Sequence, residues 1–178
     1  MSQIAQTIKV ETQRLEKGEV AIIDDIAYEI LGVEKLYHYV VYIAANLPVG
    51  ATDIAMNVLN LRPELNELYQ LDHLGIDGAA LIRLEYPTGS NRNTPHQLAE
   101  YYDQVIASKV NPVMIYMWMV PNRFPTIRAT NQLAMAITTA VYFHGWKYRI
   151  RVVTAMEVEA KRALGIRVIE AESYYPGA

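Results

Sequence analysis

Short apolar runs alternate with stretches of helical periodicity through the C-terminal hundred residues of the chain. Residues 78–86 are a short apolar run between turn residues, which predicts a strand. After it, Thr94, Pro95 and Gln97 match an N-cap, a first helical position and a capping box. Apolar positions then recur every three or four residues. We therefore expect a helix that starts at Thr94 and ends before Asn111.

The next three segments continue the alternation. Residues 113–120, VMIYMWMV, are apolar without interruption and predict a central strand that is covered on both faces. Residues 126–144 carry apolar positions along one side, with Gly145 at the stop position, and predict a second helix. Residues 147–153, KYRIRVV, alternate as a half-exposed strand does.

The segment after residue 153 has two interpretations. Thr154 and Glu157 match a capping box, and Gly165 can stop a helix. Glu157 and Lys161 are also spaced for a helical ion pair. We favour a helix here, followed by a last strand at residues 166–171. The alternative extends the alternation of the preceding strand and pairs it with that last strand as a long hairpin.

This order of elements predicts an α/β fold. Strands that alternate with helices build a largely parallel or mixed sheet with helices packed on it. We expect a single domain over residues 1–178, in which residues 76–178 form the alternating strand and helix core. Residues 1–75 form a mixed N-terminal region packed on that core.

The N-terminal region has the weaker patterns. A helix is expected at residues 3–17, and a second one, interrupted at Pro63, at residues 52–69. Residues 36–44 are rich in tyrosine and predict a strand. Residues 20–31 fit a helix or a strand equally well.

Composition narrows the class of protein. The chain has 178 residues, of which 52% are hydrophobic and 20% charged, and its formal net charge is −3. These values are typical of a globular protein and argue against nucleic acid as a partner. The chain has no cysteine, which excludes disulfides, thiolate zinc sites and cysteine nucleophiles. We expect a protein that is intracellular or part of a virion, neither secreted nor membrane-spanning.

An anion pocket is one candidate site. In open α/β sheets, ligands gather where strands end and helices begin. At that edge the predicted loops bring together one acid and three arginines: Glu85, Arg92, Arg123 and Arg128. His96, in a first helical turn, is a candidate neutral hydrogen-bond donor. We favour the interpretation that these arginines are solvated surface residues. The alternative function that the groups support is an enzyme that acts on a phosphorylated or nucleotide substrate.

Motifs for cofactors and metals are absent from the sequence. The loop after residue 87 has neither a P-loop nor a G-x-G-x-x-G pattern, so no cofactor is expected. The four histidines share no metal-binding spacing, although Asp72 and His73 are neighbours in the chain. Asp24 and Asp25, with Glu85, form a candidate metal site of a nuclease if residues 20–23 are a strand. On a helix, one of the two aspartates is merely solvated.

The thirteen tyrosines are the least ordinary feature of the composition. Tyrosine is enriched at protein interfaces because it combines a large apolar body with a polar tip. The expected interface residues are Tyr37, Tyr39, Tyr42, Tyr174 and Tyr175. The favoured function is a non-enzymatic structural subunit that forms homo-oligomers, for example a ring, within a larger particle such as the neck or tail of a virus.

Overall fold

The computed structural model describes residues 14–58, 63–87, 97–121, 125–171 and 174–175. Within these residues the chain is mostly β, with two sheets and one helix. In chain order the elements are β1 (Val20–Ile23), β2 (Ile26–Leu47), β3 (Ile54–Ala55), β4 (Asn57–Val58), β5 (Glu67–Asp77), β6 (Leu81–Pro87), β7 (Gln97–Tyr102), β8 (Val113–Met119), β9 (Thr126–Thr130), β10 (Ile137–Val152), α1 (Ala155–Ala163), β11 (Val168–Ala171) and β12 (Tyr174–Tyr175).

The α/β prediction is therefore wrong. Among the described strands, β1 and β11 are the one parallel pair, and the other paired strands run antiparallel. Consecutive antiparallel strands need no crossover helix, since a turn is enough to join them. The helices expected on the sheet are replaced by a second sheet, which packs on the first.

The large sheet is rolled so that its two edges meet. Its described strands follow the order β11-β1-β2-β10-β5-β8-β12, with β4 beside β2. β11 and β12 lie at opposite edges, although only residues 172–173 separate them. That short connection keeps the Cα atoms of residues 171 and 174 within about 11 Å, whereas the seven strands of a flat sheet span roughly 29 Å. The sheet must curl to satisfy the connection.

Bulges supply the curvature. β10 pairs with β2 through four register shifts, and at each of them the extra residue lies on β2. A bulge bends its strand and increases the local twist. The pairing of β10 with β5 has one further register shift, between His144 and Gly145. A Cβ atom on Gly145 would lie 1.9 Å from the carbonyl oxygen of Gln70. Only glycine fits this close approach of two backbones.

One face of β10 lines the interior of the rolled end, which we call the rolled core. Tyr148 and Ile150 point into it, and Leu15 enters it from the N-terminal side. The backbone N–H of Leu15 donates to the Tyr148 hydroxyl at 2.9 Å, and that hydroxyl donates to Oε1 of Gln70 at 2.6 Å. The other buried members come from strands across the whole sheet: Ala21, Ile23, Tyr28, Ile30, Leu68, Trp118 and Val120.

The opposite face of β10 packs against the small sheet, whose strand order is β3-β9-β6-β7. Val141 and Phe143 point into this inter-sheet core, together with Leu71, Met117 and Ile82. Since alternate residues of a strand face opposite sides, β10 serves the inter-sheet core near its start and the rolled core near its end. Each face of the large sheet is thus covered at one end and open at the other.

The helix expected after residue 153 is confirmed as α1. Thr154 is its N-cap and forms the predicted capping box with Glu157. The pKa of Glu157 is lowered, chiefly by the hydrogen bond from the backbone of Thr154 and then by Arg151. The predicted helical ion pair does not form: Glu157 contacts Arg151, whereas Lys161 donates to the carbonyl oxygen of Gly18 at 2.9 Å.

Three other segments that were predicted to be helical contain strands instead. Residues 97–102 are strand β7, residues 126–144 contain β9 and the start of β10, and residues 52–69 contain β3, β4 and the start of β5. These helix predictions are wrong because long-range strand pairing overrode the local periodicity. Most of the helix expected at residues 3–17 lies outside the described residues.

Most of the predicted strands are confirmed. Residues 78–86 overlap β6 in all but its last residue, residues 113–120 contain β8, and residues 147–153 fall largely in β10. β11 lies within the last predicted strand. The tyrosine-rich residues 36–44 lie within β2, and residues 20–31 are strand on both sides of a turn. The prediction of strands from short apolar and alternating runs is therefore confirmed.

Candidate functional site

Glu85 lies on β6 of the small sheet and is neutralised by its neighbours. It is 9% exposed and forms an ion pair with Arg83. Nη1 of Arg83 also lies 3.4 Å from Oδ2 of Asp53. A hydrogen bond with Tyr101, followed by the charges of Glu85 and Asp53, raises the pKa of Arg83. Glu85 and Asp53 thus share the charge of Arg83.

Arg128 lies beside Arg83 rather than beside Glu85. The two arginines are Cα partners on β9 and β6, and Nη1 of Arg128 donates to the carbonyl oxygen of Asp53 at 3.2 Å. The Nε atoms of both arginines are buried and have no hydrogen-bond partner among the described residues. Glu85 is the Cα partner of Thr126, so the chain leaves β6 and enters β9 at the same end of the small sheet.

Three members of the predicted anion pocket lie outside the described residues. Arg92 and His96 fall in residues 88–96, after β6, and Arg123 falls in residues 122–124, before β9. The described strand ends on either side of these segments are neighbours. The pocket therefore stays a prediction.

Asp24 and Asp25 are the two turn residues between β1 and β2. Both have positive φ angles, 49° and 70°. Aspartate tolerates this region better than most residues, and two such residues match the short turn of a β-hairpin. They therefore have a structural role at the rolled end, whereas Glu85 belongs to the small sheet. The structure places the three acids of the nuclease hypothesis on different sheets.

The predicted interface tyrosines occupy different environments. Tyr37 is 67% exposed, while Tyr42 is 1% exposed and donates from its hydroxyl to the carbonyl oxygen of Pro125 at 2.5 Å. Tyr39 is half-buried and packs against the inter-sheet core. Tyr174 and Tyr175 form β12, which pairs with β8 of the same chain.

Two loops at the end of the β2 and β10 pair present large apolar side chains to solvent. Val49 is 59% exposed, Leu133 40% and Met135 65%. Asn131, only 4% exposed, joins these loops. Its Nδ2 lies 3.1 Å from the carbonyl oxygens of Leu47 and Pro48 and 2.8 Å from that of Met135, and its Oδ1 accepts from the backbone of Leu133. We call Val49, Leu133 and Met135 the apolar tip.

A row of side chains crosses the large sheet beyond the rolled core. His73 on β5 is the Cα partner of His144 on β10 and of Met114 on β8. Directly paired residues of antiparallel strands point to the same face. The two imidazole ring centres are 6.1 Å apart, and the Tyr37 ring lies edge-on at 4.9 Å from His144. We call Met114, His73 and His144 the histidine row.

Asp72 fixes the tautomer of His73. Its Oδ1 lies 2.9 Å from Nδ1 of the imidazole. An ionised carboxylate can only accept a hydrogen bond, so Nδ1 carries the proton and the lone pair of the neutral ring is at Nε2. The side chain of His73 is 36% exposed and Met114 is 50% exposed, whereas Nε2 of His144 is buried, so the row is open to solvent on the side of β5 and β8.

A charged groove of about 350 Å³ lies on the opposite face, beyond the inter-sheet core. Nζ of Lys147 lies 2.8 Å from a Glu67 carboxylate oxygen and 3.9 Å from one of Glu34. The hydrogen bond with Glu67 raises the pKa of Lys147. This pairing favours the protonated amine, which is not a nucleophile. Arg149 and Glu64 add one further charge of each sign to the lining.

Asn131 and the histidine row were not predicted from the sequence. Asn131 follows directly after a strand, where its type suggests only a turn. For the row, the signal was the alternation of Tyr142, His144, Trp146 and Tyr148, which marks one face of a strand. Pairing across three strands cannot be read from spacing along the chain.

The remaining sequence-based expectations concern metals and membranes. Among the described residues, no group of three or more His, Cys, Asp or Glu side chains is placed to hold a metal ion. The one described helix is too short to cross a membrane.

Comparison with known proteins gives no relative on which to base a function. No protein-family model matches the chain, and no curated protein or solved structure is significantly similar to it.

Proposed function

We propose that this protein is a structural subunit that associates with copies of itself through the apolar tip. The observation that carries the proposal is the contrast at Asn131: a buried amide holds two loops whose large apolar side chains face solvent. Exposed apolar groups that are clustered on fixed backbone are typical of protein interfaces. The predicted ring and virus particle stay predictions.

The tip is suited to binding because its backbone is already ordered. Association usually has to order flexible loops, which reduces affinity by about 0.5–1.5 kcal/mol per immobilised side chain. Asn131 fixes both loops before any partner arrives. Two copies of the chain, related by a two-fold axis, can bring Val49, Leu133 and Met135 against the same residues of the partner. Self-association would remove this apolar surface from water.

The charged clusters support a non-enzymatic role. Glu85 is paired with Arg83, and Lys147 is paired with Glu67. Catalytic acids and bases work best when their pKa is moved toward the working pH. The pairing of Lys147 with Glu67 moves the pKa of its amine in the opposite direction.

Sedimentation velocity over a range of protein concentrations tests the proposal. The native chain is expected to form a defined oligomer, and Met135→Asp is expected to shift the population toward monomer by at least tenfold in dissociation constant. Met156→Asp is the matched control, because Met156 is 83% exposed on α1, away from the tip. A native chain that stays monomeric at high concentration, or equal effects of the two variants, would refute the proposal.

A second candidate function is anion binding at the end of the small sheet. It is favoured by the two buried Nε atoms of Arg83 and Arg128 and by the neighbouring strand ends that flank Arg92 and Arg123. Guanidinium groups bind phosphate and carboxylate well. Calorimetric titration with inorganic phosphate and with a nucleotide tests it. Binding that is lost in Arg92→Ala and Arg123→Ala supports the site, and the absence of heat with either anion rejects it.

A further inference from the structure

We propose that the histidine row binds one cuprous ion through Nε2 of His73, an imidazole nitrogen of His144 and the thioether sulfur of Met114. The three residues are Cα partners on adjacent antiparallel strands, so their side chains share one face of the sheet. The site is independent of the apolar tip and of self-association.

The spacing of the rings allows a shared metal ion. Two imidazoles that each place a nitrogen about 2.0 Å from one metal have ring centres no more than roughly 6.4 Å apart. The centres of His73 and His144 are 6.1 Å apart and the rings are inclined at 56°. This separation corresponds to a wide angle between the two metal bonds, as a two- or three-coordinate ion requires.

Asp72 prepares His73 to be a ligand. Histidines that bind metals commonly donate their other ring N–H to a carboxylate, which orients the ring and raises its basicity. Asp72 accepts from Nδ1 of His73 at 2.9 Å and leaves Nε2 for the metal. Besides its three candidate ligands, the row therefore includes Asp72, a carboxylate that orients one of them as such groups do around metal ions.

The ligand types select the metal. A thioether is a soft ligand that favours copper(I), whereas magnesium and calcium require oxygen ligands. Zinc sites are usually tetrahedral and closed by thiolate, imidazole or carboxylate groups. Met114, directly paired with His73 and 50% exposed, supplies a soft atom at the open side of the row. Two imidazoles and a thioether fit a cuprous ion best.

Competition with the chromophoric chelator bicinchoninate, without oxygen and with ascorbate to keep copper reduced, measures the binding. The native chain is expected to remove one equivalent of copper(I) from the chelator. His73→Gln and His144→Gln are each expected to weaken binding by at least a hundredfold. Met114→Leu preserves side-chain volume and is expected to weaken it at least tenfold, whereas Met156→Leu, the matched control on α1, should bind as the native chain does.

Asp72→Asn tests the outer group, because an amide supports the ring less strongly than a carboxylate; we expect about tenfold weaker binding. X-ray absorption at the copper edge of the loaded native chain should show two nitrogen neighbours and one sulfur, which needs no variant to fold. Copper that stays with the chelator, a spectrum without sulfur, or displacement of copper(I) by an equal concentration of zinc would overturn the site.

Discussion

The inter-sheet core and the rolled core share the central strands of the large sheet, but they satisfy their polar groups differently. In the inter-sheet core, the Tyr42 hydroxyl reaches a backbone carbonyl, that of Pro125. In the rolled core, the Tyr148 hydroxyl joins the Gln70 side chain to the Leu15 backbone. Inside a sheet that closes on itself, a polar atom cannot reach solvent, so its hydrogen bonds must be made within the core. The rolled core therefore buries a series of hydrogen-bonded polar groups, from Leu15 through Tyr148 to Gln70, which we call the polar chain.

The largest expected effect is on the strand that both cores share. Gly145→Ala places a Cβ atom 1.9 Å from the Gln70 carbonyl oxygen and forces β5 and β10 apart. We expect a loss of more than about 5 kcal/mol, enough to unfold a typical domain. Circular dichroism during urea unfolding measures it. Gly32→Ala on β2 is the control, because its Cβ would meet no atom closer than 3.8 Å. Native-like stability of Gly145→Ala would contradict the close approach.

Phe143→Ala probes the inter-sheet core alone. The side chain is fully buried, and its removal is expected to cost about 3–5 kcal/mol through lost burial and a cavity. If the two cores unfold together, tryptophan fluorescence, which comes from Trp118 and Trp146 at the rolled core, will shift to the same lower urea midpoint as circular dichroism. Separate midpoints would show that the cores are independent units.

Tyr148→Phe probes the polar chain of the rolled core. It removes the hydroxyl that serves both Leu15 and Gln70, and we expect a cost of about 1–3 kcal/mol. Tyr42→Phe, which removes one hydrogen bond to a backbone carbonyl, should cost less. Adding Gln70→Leu to Tyr148→Phe should recover part of the loss, because Oε1 of Gln70, which accepts from the Tyr148 hydroxyl, is removed as well. Urea midpoints of the three variants decide; an equal cost for both tyrosines would remove the distinction between the cores.

The smallest expected effect is at α1, which packs outside the rolled end through Val158. Thr154→Ala should cost about 1 kcal/mol, as loss of an N-cap does. The lowered pKa of Glu157 gives a stabilisation that is present above its ordinary pKa and is lost as pH falls through the lowered value. Acid unfolding below the ordinary pKa of glutamate should therefore be less steep in Glu157→Gln. Unchanged steepness would contradict the capping role of the carboxylate.

The sequence predicted the local features and missed the long-range ones. The capping box at Thr154 and the apolar run of β8 depend on neighbours in the chain, and both are found. The prediction of the fold class was wrong at residues 126–144, where apolar residues spaced three and four apart match the period of a helix. There the aromatic and β-branched residues of β10 were the better signal, because they pair across strands. Asn131 and the histidine row could not be predicted for the same reason, because their contacts are with residues far along the chain.

The closure of the large sheet also limits when the molecule can fold. The two edge strands, β11 (Val168–Ala171) and β12 (Tyr174–Tyr175), are the last described strands of the chain, and Leu15 is held inside by Tyr148. A ribosome releases the strands one after another, so the interior near Leu15 stays accessible to water until the last of them has emerged. Domains governed by such distant contacts fold slowly. During synthesis, the nascent chain will therefore expose its central strands to chaperones for longer than a protein built from local hairpins.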